Sequence, residues 1–129
     1  MTDIENEIAT ALATAISHDV ETDYLRQASS FPFVRFNYID SYNYTSTATS
    51  ANAGNHDRQM FQLEVYSNKR AGKRTEAWAL ANLADAYLRS IGLVKTSLSP
   101  IPNFEDSTIY RIVGRYTMVI GLTGEIHAI

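Results

Sequence analysis

Residues 60–91 read MFQLEVYSNKRAGKRTEAWALANLADAYLRSI, and the hydrophobic period changes within them. Apolar residues first recur at every second position, namely at Phe61, Leu63 and Val65. This period is typical of a half-buried strand. Ser67 and Asn68 break the pattern and suit a turn or a helix N-cap. From about Ala71 the apolar spacing becomes helical, and Gly92 stands where a left-handed residue commonly ends a helix. The sequence therefore predicts a strand, a tight turn and a helix of roughly five turns.

The remaining patterns predict an α+β domain. We expect a first helix over 2–17, strands over 33–39, 58–66, 93–99 and 107–122, and a short final strand within 126–129. This order predicts a single domain over residues 1–129, with a mostly antiparallel sheet of about four or five strands packed by two helices. Gly114 interrupts the apolar face of the longest strand and marks a bulge or a close backbone approach.

The strand and helix periods of the apolar residues also predict which side chains form the core. We expect the following side chains to be mostly buried between the central helix and the sheet: Phe61, Leu63, Val65, Trp78, Ala81, Ala84, Leu88, Ile112, Tyr116 and Met118. Glu64 alternates with this set and points to the opposite face of its strand. We expect Glu64, like Glu105 and Asp106, to be an ordinary surface charge.

Residues 40–57 form a long polar tract, DSYNYTSTATSANAGNHD. A loop of this length is unusual within a compact domain and is commonly functional or disordered. We interpret it as the tip of a long hairpin that joins the first two strands, mobile in the free monomer and ordered on assembly. Tyr42 and Tyr44 are its aromatic residues, and both are candidates for a partner interface.

The sequence contains no recognisable catalytic or metal-binding motif. It has no cysteine, no nucleophile elbow, no phosphate-binding loop and no dinucleotide fingerprint. The three histidines lie at spacings that do not favour a metal site, at His18, His56 and His127. No apolar run has the length of a membrane span. These observations predict a protein that is not an enzyme and has no cofactor or metal.

Charge is distributed unevenly along the chain. The net charge is −3, which does not favour nucleic-acid binding. Residues 1–57 carry two basic and eight acidic side chains, a net charge of −6, and residues 58–129 carry nine basic and six acidic ones, a net charge of +3. The two halves are either separate solvated faces or complementary sides of a head-to-tail contact between copies.

A basic turn, which we define as Lys69, Arg70, Lys73 and Arg74, surrounds the predicted start of the central helix. The helix macrodipole disfavours positive charge there, at a cost of about 0.3–1 kcal/mol for each residue in the first turn. Local rules are often broken at functional sites. One candidate partner is the phosphate groups of DNA. The other is a set of carboxylates on a neighbouring subunit, namely Asp3, Glu5, Glu7, Asp19, Glu21 and Asp23. The alternative is a solvated basic turn without a partner.

Four stretches together resemble one protein family. They are FQLEVYSNK at 61–69, the alanine-rich helix that ends in IGL at 91–93, LSPIPN at 98–103, and the pairs Tyr110-Arg111 and Arg115-Tyr116. Over residues 33–122 they look like the tail terminator proteins of long-tailed bacteriophages, also called tail completion or head–tail joining proteins. The Ala71-Gly72 step after Lys69 departs from the family pattern, and so do the first helix and the tip of the 40–57 tract.

The resemblance implies a structural role in the virion. In that family a small α+β subunit assembles into a hexameric ring, caps the tail tube, ends its polymerisation and docks onto the head connector. The expected partners are the chain itself, the tail tube protein and the head completion or connector protein. DNA would pass through the ring without specific binding, and no membrane or cofactor is implied. The location would be the head-proximal end of the tail, after assembly in the host bacterial cytoplasm.

Two alternatives remain open at this point. The chain could be another phage head–tail connector or tail tube component. It could also be a small α+β ligand-binding module, which would show a closed apolar pocket and stay a small oligomer.

Overall fold

The computed structural model describes residues 2–22, 31–43, 56–101, 108–121 and 126–127. The elements follow in the order α1 (Thr2–Ile16), β1 (Phe33–Asn43), β2 (His56–Ser67), α2 (Lys73–Ser90), β3 (Val94–Pro100), β4 (Tyr110–Gly121) and β5 (Ile126–His127). This is the order that the sequence predicts, and the α+β class is confirmed.

The sheet is antiparallel, with strand order β1-β2-β4-β3 and with the short β5 paired to β4 beyond the end of β3. Both helices lie on the same face of this sheet and contact each other. The predicted core is confirmed, because nine of its ten members have no exposed surface and Trp78 is half-buried against them. The largest contribution comes from Phe36, Phe61 and Tyr116, whose rings fill the space beneath the helices.

The first hairpin is longer than predicted. Strand β1 extends to Asn43 and β2 begins at His56, and the register continues to the pair Asn43 and Asp57. The 40–57 loop was therefore predicted too long, since its first four and last two residues belong to the ladder. A bulge at Ile39 shifts the register within this hairpin. The expected mobility of the tract concerns 44–55, which lie outside the described residues.

The two ends of α2 differ in how well the sequence predicts them. The helix begins at Lys73 and not near Ala71, after Gly72 in a left-handed conformation with φ of 91°, and no side chain caps it. Ser67 ends β2, so its prediction as an N-cap is wrong. At the other end, Gly92 has φ of 104°. The amides of Gly92 and Leu93 donate to carbonyls of the last turn at 3.2 and 3.1 Å, as predicted for a glycine stop.

Gly114 lies beneath the side chains of Leu98 and Tyr116. A Cβ atom at this position would lie 2.8 Å from Leu98 Cδ1 and 3.0 Å from the Tyr116 ring. The glycine therefore makes room for two neighbouring side chains, and the predicted close approach of the backbone is not seen at this position. The bulge is in β3, where Thr96 is the extra residue between Lys95 and Ser97.

Both outer edges of the sheet are blocked over much of their length. On β1, the Glu21 amide donates to Val34 O and the Glu21 carbonyl accepts from Phe36 N, both at 2.9 Å. The next outward amide, that of Tyr38, donates to the Glu5 carboxylate at 2.6 Å. On β3, the bulge at Thr96 interrupts the edge and Pro100 has no amide hydrogen.

Candidate interaction surface

The basic turn lies between the end of β2 and the start of α2. Lys69, Arg70 and Arg74 are exposed, and their side chains form no hydrogen bond or ion pair with any described residue. Lys73 is half-buried, and its Nζ donates to Thr108 O at 3.3 Å. Glu76, in the first turn of α2, partly offsets the positive charge. Its Oε1 accepts from the Ser67 hydroxyl at 2.7 Å, which anchors the helix start to β2.

Two of the acidic residues that were predicted to meet the basic turn, Asp19 and Glu21, lie outside β1 at one edge of the sheet. Asp19 is exposed in the connection after α1. Glu21 is half-buried at the outer edge of β1, and its Oε1 accepts from the Thr22 amide at 3.1 Å. In the described part of the chain, no ion pair joins these acids to the basic turn. Asp23 lies outside the described residues.

Of the two aromatic candidates in the hairpin, only the backbone of Tyr42 lies within the described residues. The backbone of Tyr42 pairs with Arg58 across the hairpin. The side chain of Tyr42 and the whole of Tyr44 lie outside what the structure describes.

A groove of about 710 Å³ lies between α1 and the start of β1. Its lining is mixed, and includes Asn6, Thr10, His18, Asp19, Phe33 and Val34. A ligand-binding module would be expected to show a closed and mostly apolar pocket. The polar side chains that face this groove give little support to that alternative.

Glu64 is buried, so the prediction of a surface charge is wrong. Its side chain is 5% exposed, on the sheet face opposite the helices. Glu64 Oε2 lies 3.3 Å from Arg111 Nη2 and 3.7 Å from Arg35 Nη1, and it accepts from the Tyr66 hydroxyl. Glu64 Oε1 accepts from Gln62 Nε2 at 2.9 Å. One carboxylate therefore holds two guanidinium groups and a phenol in place.

The strand register explains how this cluster forms. Arg35 is directly opposite Glu64 across β1 and β2, and Arg111 is opposite Tyr66 across β2 and β4. Side chains opposite each other in an antiparallel sheet share a face and interact. The Arg35 guanidinium also lies 5.2 Å from the centre of the Phe33 ring, and that of Arg111 lies 5.8 Å from the Tyr66 ring.

The cluster shifts the pKa values of its members. Burial alone would raise the pKa of Glu64, but the hydrogen bonds from Tyr66 and Gln62 and the charges of Arg111 and Arg35 outweigh it and hold this pKa below its ordinary value. Burial, together with the bond to Glu64, raises the pKa of Tyr66 to about 12. Glu64 is therefore ionised and Tyr66 is a proton donor across the neutral pH range.

A second buried carboxylate, Asp85, joins α2 to the sheet. Asp85 Oδ1 accepts from the Tyr116 hydroxyl at 2.7 Å, and Oδ2 lies 3.2 Å from Arg89 Nε and 3.5 Å from Lys95 Nζ. Burial and the bond to Asp85 raise the pKa of Tyr116. This contact is structural, since it fixes the helix over β3 and β4. No local pattern indicated this contact, because Tyr116 is far from Asp85 along the chain.

An arginine stripe, which we define as Arg111 and Arg115 on β4, continues the outer face beyond Glu64. The two residues share that face with Val113 between them, about 13 Å apart along the strand. The Arg111 side chain is 28% exposed, and Arg115 is exposed. Tyr66, which is paired with Arg111, is only three residues before Lys69. Arg111 therefore lies near the basic turn, while Arg115 lies farther along β4. Sequence reasoning missed this placement because it depends on the strand register.

In the parts of the chain that the structure describes, no three His, Cys, Asp or Glu side chains come together as a metal site would require. Among the same residues, no helix is long and apolar enough to cross a membrane. Comparison with protein-family models finds no match, and comparison with curated proteins finds none either.

Proposed function

We propose that the protein is a structural virion subunit that assembles into a closed homo-oligomeric ring and terminates the tail tube of a long-tailed bacteriophage. The sequence resemblance over residues 33–122 supports the family, and the α+β fold agrees with it. In this proposal the ring, expected to be a hexamer, caps the tube, ends its polymerisation and joins it to the head connector. The protein is not an enzyme and needs no cofactor.

One structural observation carries the ring part of the proposal. Asp19 is exposed outside β1, while Arg70, Arg74 and Arg115 are exposed at the start of α2 and on β4, and no ion pair joins Asp19 to these arginines among the described residues. Two complementary patches at different sites on one subunit generate a heterologous contact, which closes into a ring if the rotation between copies permits. Such a contact depends on the uneven distribution of charge over the chain, and it needs no active site.

The remaining partners follow from the resemblance. They are the tail tube protein on one face of the ring and the head completion or connector protein on the other. DNA passes through the centre without sequence-specific contacts. The protein would be located at the head-proximal end of the tail, after assembly in the host bacterial cytoplasm. A second candidate is another connector or tube component of the same virion, which would also form rings.

Native mass spectrometry and negative-stain imaging of the purified protein test this proposal. We expect rings of six copies with a central channel. A protein that remains monomeric or dimeric at high concentration and low salt would contradict the ring. Open helical tubes would favour a tube subunit over a terminator. Adding preformed rings to polymerising tail tube protein should then stop tube growth, and tubes of unchanged length would reject the terminator role.

A further inference from the structure

We propose that the arginine stripe is the docking site for the acidic connection of a second copy, residues 18–22, with Asp19 facing the exposed Arg115 and with Arg111 as a fixed positive charge on the same face. This inference rests on the proposed ring and adds which surfaces meet in it. It also differs from the sequence prediction, in which the basic turn is the partner of these acids.

The positions of the two surfaces suit a repeating contact. The 18–22 connection lies outside β1, at one edge of the sheet. The stripe lies on β4, which is two strands further across the sheet and next to the opposite edge strand β3. The two surfaces are thus separated by about 14 Å across the sheet. Because they are two separate sites on one subunit, each copy can offer its acidic connection to the next copy's stripe.

Arg111 is ordered before any partner arrives. Its Nη2 contacts Glu64 and its guanidinium lies beside the Tyr66 ring, so its rotamer is fixed. Its Nε is buried and has no hydrogen-bond partner among the described residues. A pre-ordered guanidinium loses little conformational freedom on binding a carboxylate, unlike the exposed side chains of the basic turn. Arginines in such partly buried settings dominate many interfaces.

Positive side chains outnumber negative ones around the stripe, which favours the binding of an additional carboxylate. Glu64 is one negative charge placed between Arg35 and Arg111, and the exposed Arg115 forms no ion pair with a described residue. The outer face therefore keeps an excess of positive charge. On the other side, Asp19 is exposed and its side chain bonds no described residue, while only its carbonyl contacts the His18 ring, at 2.8 Å. Opposite potentials of this kind select the partner and fix the register.

A charge-swap experiment tests the inference in the full chain. Asp19→Arg and Arg115→Glu each place like charges across the proposed contact, and each should weaken assembly by about tenfold or more in mass photometry. Both changes in one chain should restore rings, because the charges at positions 19 and 115 are then exchanged and opposite charges again face each other in every contact. Both residues are exposed, so circular dichroism should show folded protein throughout. Arg115→Gln, with Arg89→Gln on the helix side as the matched control, should weaken assembly while the control does not.

Each outcome decides the question. Rescue by Asp19→Arg with Arg115→Glu, but not by Asp19→Arg with Arg70→Glu, supports the stripe. Rescue only by the Arg70 combination assigns the acids to the basic turn and overturns the inference, and normal rings from Arg115→Glu alone also overturn it. In both cases the ring itself stands. A wild-type chain that forms no ring removes the proposed function instead, which is a distinct result.

Discussion

At the scale of single residues, Glu64 has the largest consequence for stability. Replacing it by glutamine keeps the shape but removes the charge that holds Arg35 and Arg111. We expect a loss of about 2 kcal/mol at pH 7, since hydrogen bonds to charged groups contribute about 1.5–3 kcal/mol. Chemical unfolding of Glu64→Gln measures this loss, with Glu7→Gln on the exposed side of α1 as the control. A loss no larger than that of the control would contradict the buried cluster.

The same residue predicts a pH dependence. The pKa of Glu64 is lower in the folded protein than in the unfolded chain, where it has the ordinary value of a glutamate. Its stabilising contribution is therefore fully present above that unfolded value and is lost as the pH falls through the folded one. The difference in unfolding free energy between wild type and Glu64→Gln should shrink on acidification from pH 7 towards pH 3. A difference that stays constant over this range would show that folding does not lower the pKa of Glu64.

Ser17 is a residue that local geometry disfavours. It ends α1 in the left-handed region, with φ of 56°. The amide of His18 reaches back to Ala13 O at 3.1 Å, which requires this conformation. A non-glycine residue in this conformation destabilises the folded protein by about 1–2 kcal/mol. Glycine avoids this cost, but it loses more conformational entropy on folding, which offsets part of the gain. Ser17→Gly should therefore raise the unfolding free energy by about 0.5–1 kcal/mol. Thermal unfolding tests this, with Ala86→Gly at an exposed position inside α2 as a destabilising comparison.

At the scale of elements, α2 holds the core together. Leu88 faces the sheet from the last turns of this helix and has no exposed surface. Leu88→Ala should cost about 2–5 kcal/mol, because the cavity is enclosed by rigid strands. The matched control is Leu83→Ala, at the most exposed large apolar side chain of the same helix. Equal unfolding midpoints for the two variants would refute the packing of α2 on the sheet.

The elements also show how far sequence reasoning extends. Period and glycine placement predicted each helix and strand, because these signals are local. The start of α2 escaped prediction, since a left-handed Gly72 replaces the usual side-chain cap. The burial of Glu64 and Asp85 was not predicted from the sequence either. A polar residue on one face of a strand or helix looks solvated until the register places Arg35, Arg111 or Tyr116 beside it. Such contacts join residues far apart in sequence and leave no local pattern.

At the scale of the whole molecule, the basic turn should guide association over a distance. Its exposed side chains are not pre-ordered, so they contribute mainly to the rate of encounter. Arg70→Glu with Arg74→Glu should slow ring formation at low salt, and the effect should fade as added salt shortens the Debye length below about 8 Å. Stopped-flow light scattering measures the rate. If the turn contacts DNA phosphates instead, this variant forms rings at the normal rate and only DNA retention fails.

The blocked edges of the sheet affect how the protein associates at high concentration. Backbone groups of β1 are occupied by Glu21 and Glu5, and β3 offers a bulge and a proline. A strand from another molecule finds no continuous template for added backbone bonds along these stretches. Newly synthesised copies are therefore less prone to form fibres through strand addition. They associate through side-chain contacts, which are reversible and can re-form until the correct geometry is reached.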